Sequence, residues 1–428
     1  MDYKEYLTKK KPYQELGYLS MLEKKHYCLF YKPGKGKTYP TIDAIRDIDK
    51  NKNGNANILI LSTKDAIEKM WKSDIVPQNI LPKNTTMLSF TAAIQELTKI
   101  KLLKIKWDCI VIDECHKIKA HNTKISKLVY TLTKKTEYVF GLSGTPRGNT
   151  DIDIYCEFHN MNISEWGTIS YTQFVNCCCD IDKKFFRGQQ VVIPIGINNK
   201  YKAGWEKNIA MYSQRVDYDE DDNMIDPIIN IVKIPYNPTK EYFEAEEGII
   251  NIPDYETTLA KLAATLKVWQ IANGFMYLTD KDGIRTTVEI SRNNKLDWLN
   301  KNLTDKRVIV YNFEADAEHI MKELDKMNYT YTEDIDTFKK NNANILLLQC
   351  SRCESFNLQH HCDRITFFTY DYSFIKFDQM LHRVWRMGQE KQVQIDVLIN
   401  ENTIEEKIWK SVQLKQKFAD LFMSIKGE

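Results

Sequence analysis

The stretch "LFYKPGKGKTYP", residues 29 to 40, decides how the chain is read. The apolar run "HYCLFY" leads into it, and "YPTIDAIRDI", with the spacing of an amphipathic helix, leads out. Strand, glycine turn, lysine, threonine and helix is the order that a phosphate-binding loop requires. In such a loop, backbone N–H groups and the helix N-terminus grip phosphate oxygens. Lys37 then reaches the β and γ phosphates of ATP, and Thr38 ligates magnesium. Pro40 falls in the first helical turn, where proline is tolerated. The full pattern asks for glycine at position 31, which is Tyr31 in this chain. The part retained is Gly34, Lys35, Gly36, Lys37 and Thr38, the expected ATP-binding set.

A phosphate-loop enzyme also needs an acidic residue at the end of a neighbouring buried strand. "WDCIVIDECHK" supplies Asp113 and Glu114 behind an apolar run. Asp113 suits a magnesium ligand, beside Thr38, and Glu114 suits the group that activates the attacking water. Two carboxylates at such a position are costly to bury unpaired, so a bound Mg2+ is the natural partner. "FGLSGTPRGN" gives a third strand-to-loop transition, with Ser143 and Thr145 as hydroxyl donors. The three features follow one another at spacings that fit one sheet.

From about residue 1 to 150, β-rich runs ("HYCLFY", "NILILST", "TTMLSF", "DCIVIDE", "YVFGLSGT") alternate with helical patterns. That alternation predicts an α/β lobe with a parallel sheet and crossover helices. A second series opens at "KRVIVYNF" and continues through "NILLLQC", "DRITFFTY" and "VQIDVLI". It ends on Thr403-Ile-Glu-Glu406, expected as a capping box on a terminal amphipathic helix. The expected organisation is a first lobe over residues 1–170, a helical linker or protrusion over 171–290, and a second lobe over 291–428. The acidic run "DYDEDDN" in the middle reads as a solvated loop. The helix "KLAATLKVWQ" shows Lys261 and Lys267 on a possible basic face, equally well a solvated one.

The chain has 428 residues, 43% hydrophobic and 28% charged, with a net charge of +2, so a soluble intracellular protein is expected and nothing global demands a polyanionic partner. No apolar run reaches membrane-spanning length, and no membrane association is expected. The ten cysteines are scattered, several in apolar strand-like runs, and read as reduced thiols. Cys177-Cys178-Cys179, and Cys350, Cys353, His360, His361 and Cys362, are residue types that hold zinc, but a second C-x-x-C is missing.

The second series contains "DQMLHRVWRMGQEKQVQIDVLINENTIEEKI". Arg383 and Arg386 lie three apart, on one helix face or in a tight loop. Arginines offered by a second domain neutralise charge on the γ-phosphate in the transition state. A site divided between two domains is the construction of a motor.

Taken together, these stretches resemble superfamily 2 helicase-type ATPases, most closely their Swi/Snf-related branch of DNA translocases. The likeness covers nearly the whole chain. It implies two RecA-like lobes. "KPYQELGYLSML" resembles the family's adenine-recognition segment and implicates Gln14; "ILILSTKDAIEKMW" resembles its backbone-touching strand and loop. "DECH" resembles the magnesium and water-activating box, "LSGTP" the coupling segment, and "HRVWRMGQ" the arginine-finger motif. Coupling residues are therefore expected at His116, Ser143, Thr145 and Gln379, and nucleic-acid contacts at Ser62, Lys64, Ser89, Phe90 and Asn357. The loop "QCSRCESFNLQ" departs from the family in having no glycine, although Asn357-Leu358-Gln359 is retained.

The resemblance implies an ATP hydrolase that acts as a monomer and moves along double-stranded DNA without sequence preference. The alternatives are a strand-separating helicase on branched DNA, R-loops or RNA, and a nucleotide-gated clamp with little turnover.

Overall fold

"HYCLFY" forms β1 (His26–Tyr31), and the next apolar runs form β2 (Ile58–Ser62), β3 (Thr85–Ser89), β4 (Cys109–Asp113) and β5 (Tyr138–Ser143). Every residue of β2 and β4 is buried, because parallel strands are covered by helices on both faces. An antiparallel hairpin, β6 (Cys179–Phe186) and β7 (Gln189–Ile197), precedes β8 (Ser213–Val216). The sheet order is β3-β2-β4-β5-β1-β8, with every pairing parallel. One face packs on Ile42, Ile45 and Trp71, the other on Tyr155, Phe158 and Trp205.

The computed structural model describes residues 2–144, 151–186, 189–219, 222–252, 255–258, 261–279, 284–304, 306–352 and 356–423. It divides into two compact units, Met1–Asp222 with Phe418–Glu428, and Asn223–Lys417. Among the described residues no helix is long and apolar enough to cross a membrane.

The second unit begins with β9 (Ile228–Ile234) and two antiparallel hairpins, β10 (Ile249–Ile252) with β11 (Tyr255–Thr258) and β12 (Phe275–Thr279) with β13 (Arg285–Glu289). Then come β14 (Arg307–Tyr311), β15 (Tyr331–Thr332), β16 (Ile345–Gln349), β17 (Arg364–Phe367) and β18 (Gln394–Asn400). Their order is β15-β16-β14-β17-β18-β9, again parallel throughout. The fold is thus α/β with two parallel sheets.

Residues 171–290, expected as a helical linker or protrusion, hold the helices Tyr171–Cys178, Asn199–Tyr212, Lys240–Glu246 and Lys261–Ala272, and strands as well. β8 completes the first sheet and β9 the second, and the hairpins carry much of the rest. β8 and β9 are edge strands; β9 is exposed on both faces around Ile228, Ile229 and Ile231, and Asn230 and Lys233 break its apolar run, so neither shows the continuous apolar signal of a central strand.

Two further expectations are corrected in this unit. Lys267 does not offer a basic face; its ammonium is half-buried and donates to the Tyr277 carbonyl. Burial, with the Arg285 charge in support, holds it below the ordinary lysine range. At the last helix, Ile404–Met423, it is Glu405 rather than Glu406 that turns inward. Its Oε2 accepts from Asn400 N at 2.8 Å and its Oε1 from Lys295 Nζ at 2.7 Å. Lys295 Nζ also donates to Asn273 Oδ1 and the Phe368 carbonyl, so this buried pair is fully bonded.

Candidate nucleotide-binding and hydrolysis site

The phosphate loop lies between β1 and the helix Thr38–Asn51, for which Lys37 is the cap residue. Gly34 and Gly36 take φ of 93° and 73°, a left-handed backbone that favours glycine. A Cβ on Gly36 would sit 2.6 Å from Gln14 Nε2, so position 36 is closed to side chains twice over. Gln14, on the helix Pro12–Lys24, is buried and donates to the carbonyls of Lys35 and Gly36 at 3.2 and 3.3 Å. Tyr13 donates to the Lys35 carbonyl as well, at 3.1 Å. This helix therefore fixes the loop's outer side.

The side chain of Lys35, a member of the expected ATP-binding set, is committed to carboxylates. It is only 2% exposed, and its ammonium is paired with Asp222 at 2.5 Å and Asp219 at 3.0 Å. The acidic run read as a solvated loop thus holds a phosphate-loop lysine.

Asp113 ends β4 in full burial. Its Oδ2 accepts from Ser62 Oγ at 3.0 Å and from Trp71 Nε1 at 3.2 Å, and its Oδ1 from Glu114 N at 3.1 Å. Burial pushes its carboxyl up and the Glu114 carboxylate adds to that, while the Lys37 charge and the bonds from Trp71 and Ser62 pull it down. A buried carboxylate with a like charge beside it fits a divalent cation. Asp113 and Thr38 would hold Mg2+. The Thr38 hydroxyl donates to Met70 Sδ at 3.9 Å.

Glu114 leaves the strand with φ of 56° and is half-buried, its Oε2 3.3 Å from His116 Nδ1. The same ring nitrogen is 3.2 Å from Ser143 Oγ at the end of β5. His116 and Ser143 are buried, so two of the expected coupling residues meet the proposed base. Thr145 lies outside the described residues.

Ser62, expected at nucleic acid, is fully buried and committed to Asp113. Lys64 is exposed, and with Ser89, Lys72, Thr91 and Gln95 it lines a cleft of about 420 Å³. Ser89 also caps a short helix by accepting from Ala92 N, and Phe90 packs on the core.

In the second unit the helix Phe374–Val384 ends between the two arginines, so Arg383 lies in its last turn and Arg386 beyond it. Both are tied to the glycine-free loop. Arg383 Nη1 donates to the Phe356 carbonyl at 3.3 Å, Leu358 N donates to the Arg383 carbonyl at 2.8 Å, and Arg386 Nη1 donates to Asn357 Oδ1. Gln379 is buried in the same helix. Cys350 is buried, and Cys353 falls outside the described residues.

Two features were not read from the sequence. Trp71 counts as core in any apolar pattern, yet a buried indole N–H needs an acceptor, and it finds Asp113. Glu157, buried on the helix Asp151–Asn160, accepts from Cys115 Sγ at 3.4 Å beneath the "DECH" turn. Burial holds its carboxyl well above the usual range.

Residues 7–148 match the family of type III restriction enzyme res subunits. Along its length the chain is similar to the ISWI chromatin-remodeling complex ATPase ISW2 of Saccharomyces cerevisiae, 23% identical over 83% of this chain and 33% of that protein. It is 21% identical to a Drosophila melanogaster SWI/SNF-related matrix-associated actin-dependent regulator of chromatin subfamily A-like protein 1, over 95% of this chain and 55% of that one. The chain is similar to Swi/Snf-type ATPases over most of its length. It thus spans only a third to about half of these Swi/Snf relatives. By contrast, it covers 97% of putative protein p41 of Acyrthosiphon pisum secondary endosymbiont phage 1, at 20% identity over 96% of this chain. Among solved Swi/Snf structures, the Sulfolobus solfataricus SWI2/SNF2 ATPase core in complex with dsDNA is 22% identical, with a TM-score of 0.41 over 96% of this chain and 92% of that one.

Proposed function

We propose that the chain hydrolyses ATP and uses the cycle to move along double-stranded DNA. What supports this most is the pair Asp113 and Glu114 at the end of β4, with the Lys37 charge acting on the buried Asp113. In this reading Lys37 binds the nucleotide's phosphates, and Glu114 takes the proton of the attacking water. His116 and Ser143 link Glu114 to the end of β5. When bound, Mg2+ supplies charge neutralisation at the phosphates. Arg383 and Arg386 act on the transition state as arginine fingers. Lys64 and Ser89 are the first-unit candidates for backbone contact with DNA, and Asn357 the second-unit one. Such contacts position a motor without reading sequence.

Strand separation is a second reading, favoured by one observation. Phe185 on the β6–β7 hairpin is 77% exposed, and an exposed aromatic is a platform on which an unpaired base can stack. ATPase rates on blunt duplex DNA, single-stranded DNA and RNA, measured side by side, separate the two. The translocase reading expects blunt duplex to stimulate most. Stimulation only by single strands, forks or RNA would transfer the conclusion to the helicase.

A further inference from the structure

β8 runs parallel to β1, with Val216 opposite Tyr31. Parallel neighbours leave a sheet at the same edge, so the chain that follows β8 emerges beside the phosphate loop that follows β1. It stays there. Lys32 N donates to the Val216 carbonyl at 2.9 Å, and the Tyr218 hydroxyl donates to the Pro33 carbonyl at 2.7 Å. Asp219 and Asp222 then take the Lys35 ammonium, and they are braced to each other, since Asp219 N donates to Asp222 Oδ2 at 2.8 Å. Three residues of the phosphate loop, 32, 33 and 35, are thereby held by Val216, Tyr218, Asp219 and Asp222, and the second unit starts at Asn223.

We propose that Val216, Tyr218, Asp219 and Asp222 form an electrostatic strap on the phosphate loop, and that Lys35 is a positioning residue within that loop rather than a phosphate ligand. This rests on the nucleotide reading of the loop. The Lys35 side chain is spent on carboxylates, and its carbonyl is held from the other side by Gln14 and Tyr13. The loop is thus clamped between the helix Pro12–Lys24 and the strap. Since the strap leads directly into the second unit, nucleotide in the loop and order in the connecting segment bias one another reciprocally.

The test uses the full chain with Lys35→Met, Lys35→Arg, Asp219→Asn with Asp222→Asn, and the combined variant. Its readouts are ATP KM and kcat, and hydrogen exchange at residues 216–222 with and without a non-hydrolysable ATP analogue. The strap predicts that Lys35→Met and the paired Asn changes each raise KM about tenfold, in the range of linked sites, with kcat less affected. Their combination should cost little more than either, because both break one contact. Lys35→Arg should keep KM near that of the wild type, and the analogue should slow exchange across residues 216–222 in the wild type and Lys35→Arg but not in the other variants. Loss of affinity in Lys35→Met with none in the Asn variant would make Lys35 a phosphate ligand and overturn the strap. So would wild-type behaviour in every variant. A wild type that neither binds nor hydrolyses ATP would instead refute the nucleotide reading beneath it.

Discussion

Glu114 sits in a left-handed backbone that residues with a Cβ seldom adopt, and it does so one residue after a fully buried carboxylate. Such a conformation persists only when its surroundings impose it. Here it swings the carboxylate off the strand axis toward His116. Glu114→Gln should therefore keep ATP binding and lower turnover by about 10²–10⁴, the usual contribution of a positioned base. Lys37→Ala should lose binding itself, and equilibrium binding of a fluorescent nucleotide distinguishes the two. Arg383→Ala and Arg386→Ala should reduce turnover at saturating ATP by about 10³–10⁵ with little loss of affinity. Because Arg386 is held by Asn357, Asn357→Ala should lower single-turnover hydrolysis in the same direction by a smaller factor. Unchanged turnover in the arginine variants, with weakened binding, would remove them from the transition state.

The elements divide sharply in how far they could be read from sequence. Central strands such as "CIVID" and "RVIVY" are buried on both faces, so their apolar runs announce them, and the glycine turn after β1 announces the site. The strands within residues 171–290 were opaque because edge strands and hairpins keep one face polar or exposed. The partners of the Lys35 side chain were hidden for a different reason: they lie more than 180 residues further along the chain, and no local pattern reports so distant a pair. The bond from Ser62 was hidden because a serine at a strand end reads alike whether it faces solvent or supports Asp113. Glu405 shows the same limit, since its value lies in a partner 110 positions away. Lys295→Met would leave Glu405 buried without its charge partner, which costs about 3–5 kcal/mol when one side of a buried pair is removed. Urea unfolding should report it, and Glu405→Gln on the same background should recover part of the loss.

For the molecule as a whole, stability and motion give separate tests. Burial raises the Asp316 carboxyl from 3.8 to about 6, against opposing bonds from the Thr369 hydroxyl and Phe313 N. The folded chain therefore retains a proton that the unfolded chain has released between these values. Asp316 makes stability fall as pH rises from about 4 to about 6 and adds no slope above that. The difference in unfolding midpoint between wild type and Asp316→Asn should change across this window and stay level beyond it.

Motion is the central claim, and displacement of a third strand from a DNA triplex tests it most directly. A motor that tracks the phosphates of an intact duplex should strip the third strand in an ATP-dependent way, leave the underlying duplex paired, and hydrolyse ATP faster as the duplex lengthens. The stimulation should weaken steeply with salt, because backbone contacts release counterions, and RNA duplexes, with A-form grooves, should stimulate poorly. Glu114→Gln should bind the same DNA and displace nothing. An active ATPase that leaves the triplex intact on blunt duplex DNA, while opening forks or responding only to single strands or RNA, would contradict translocation.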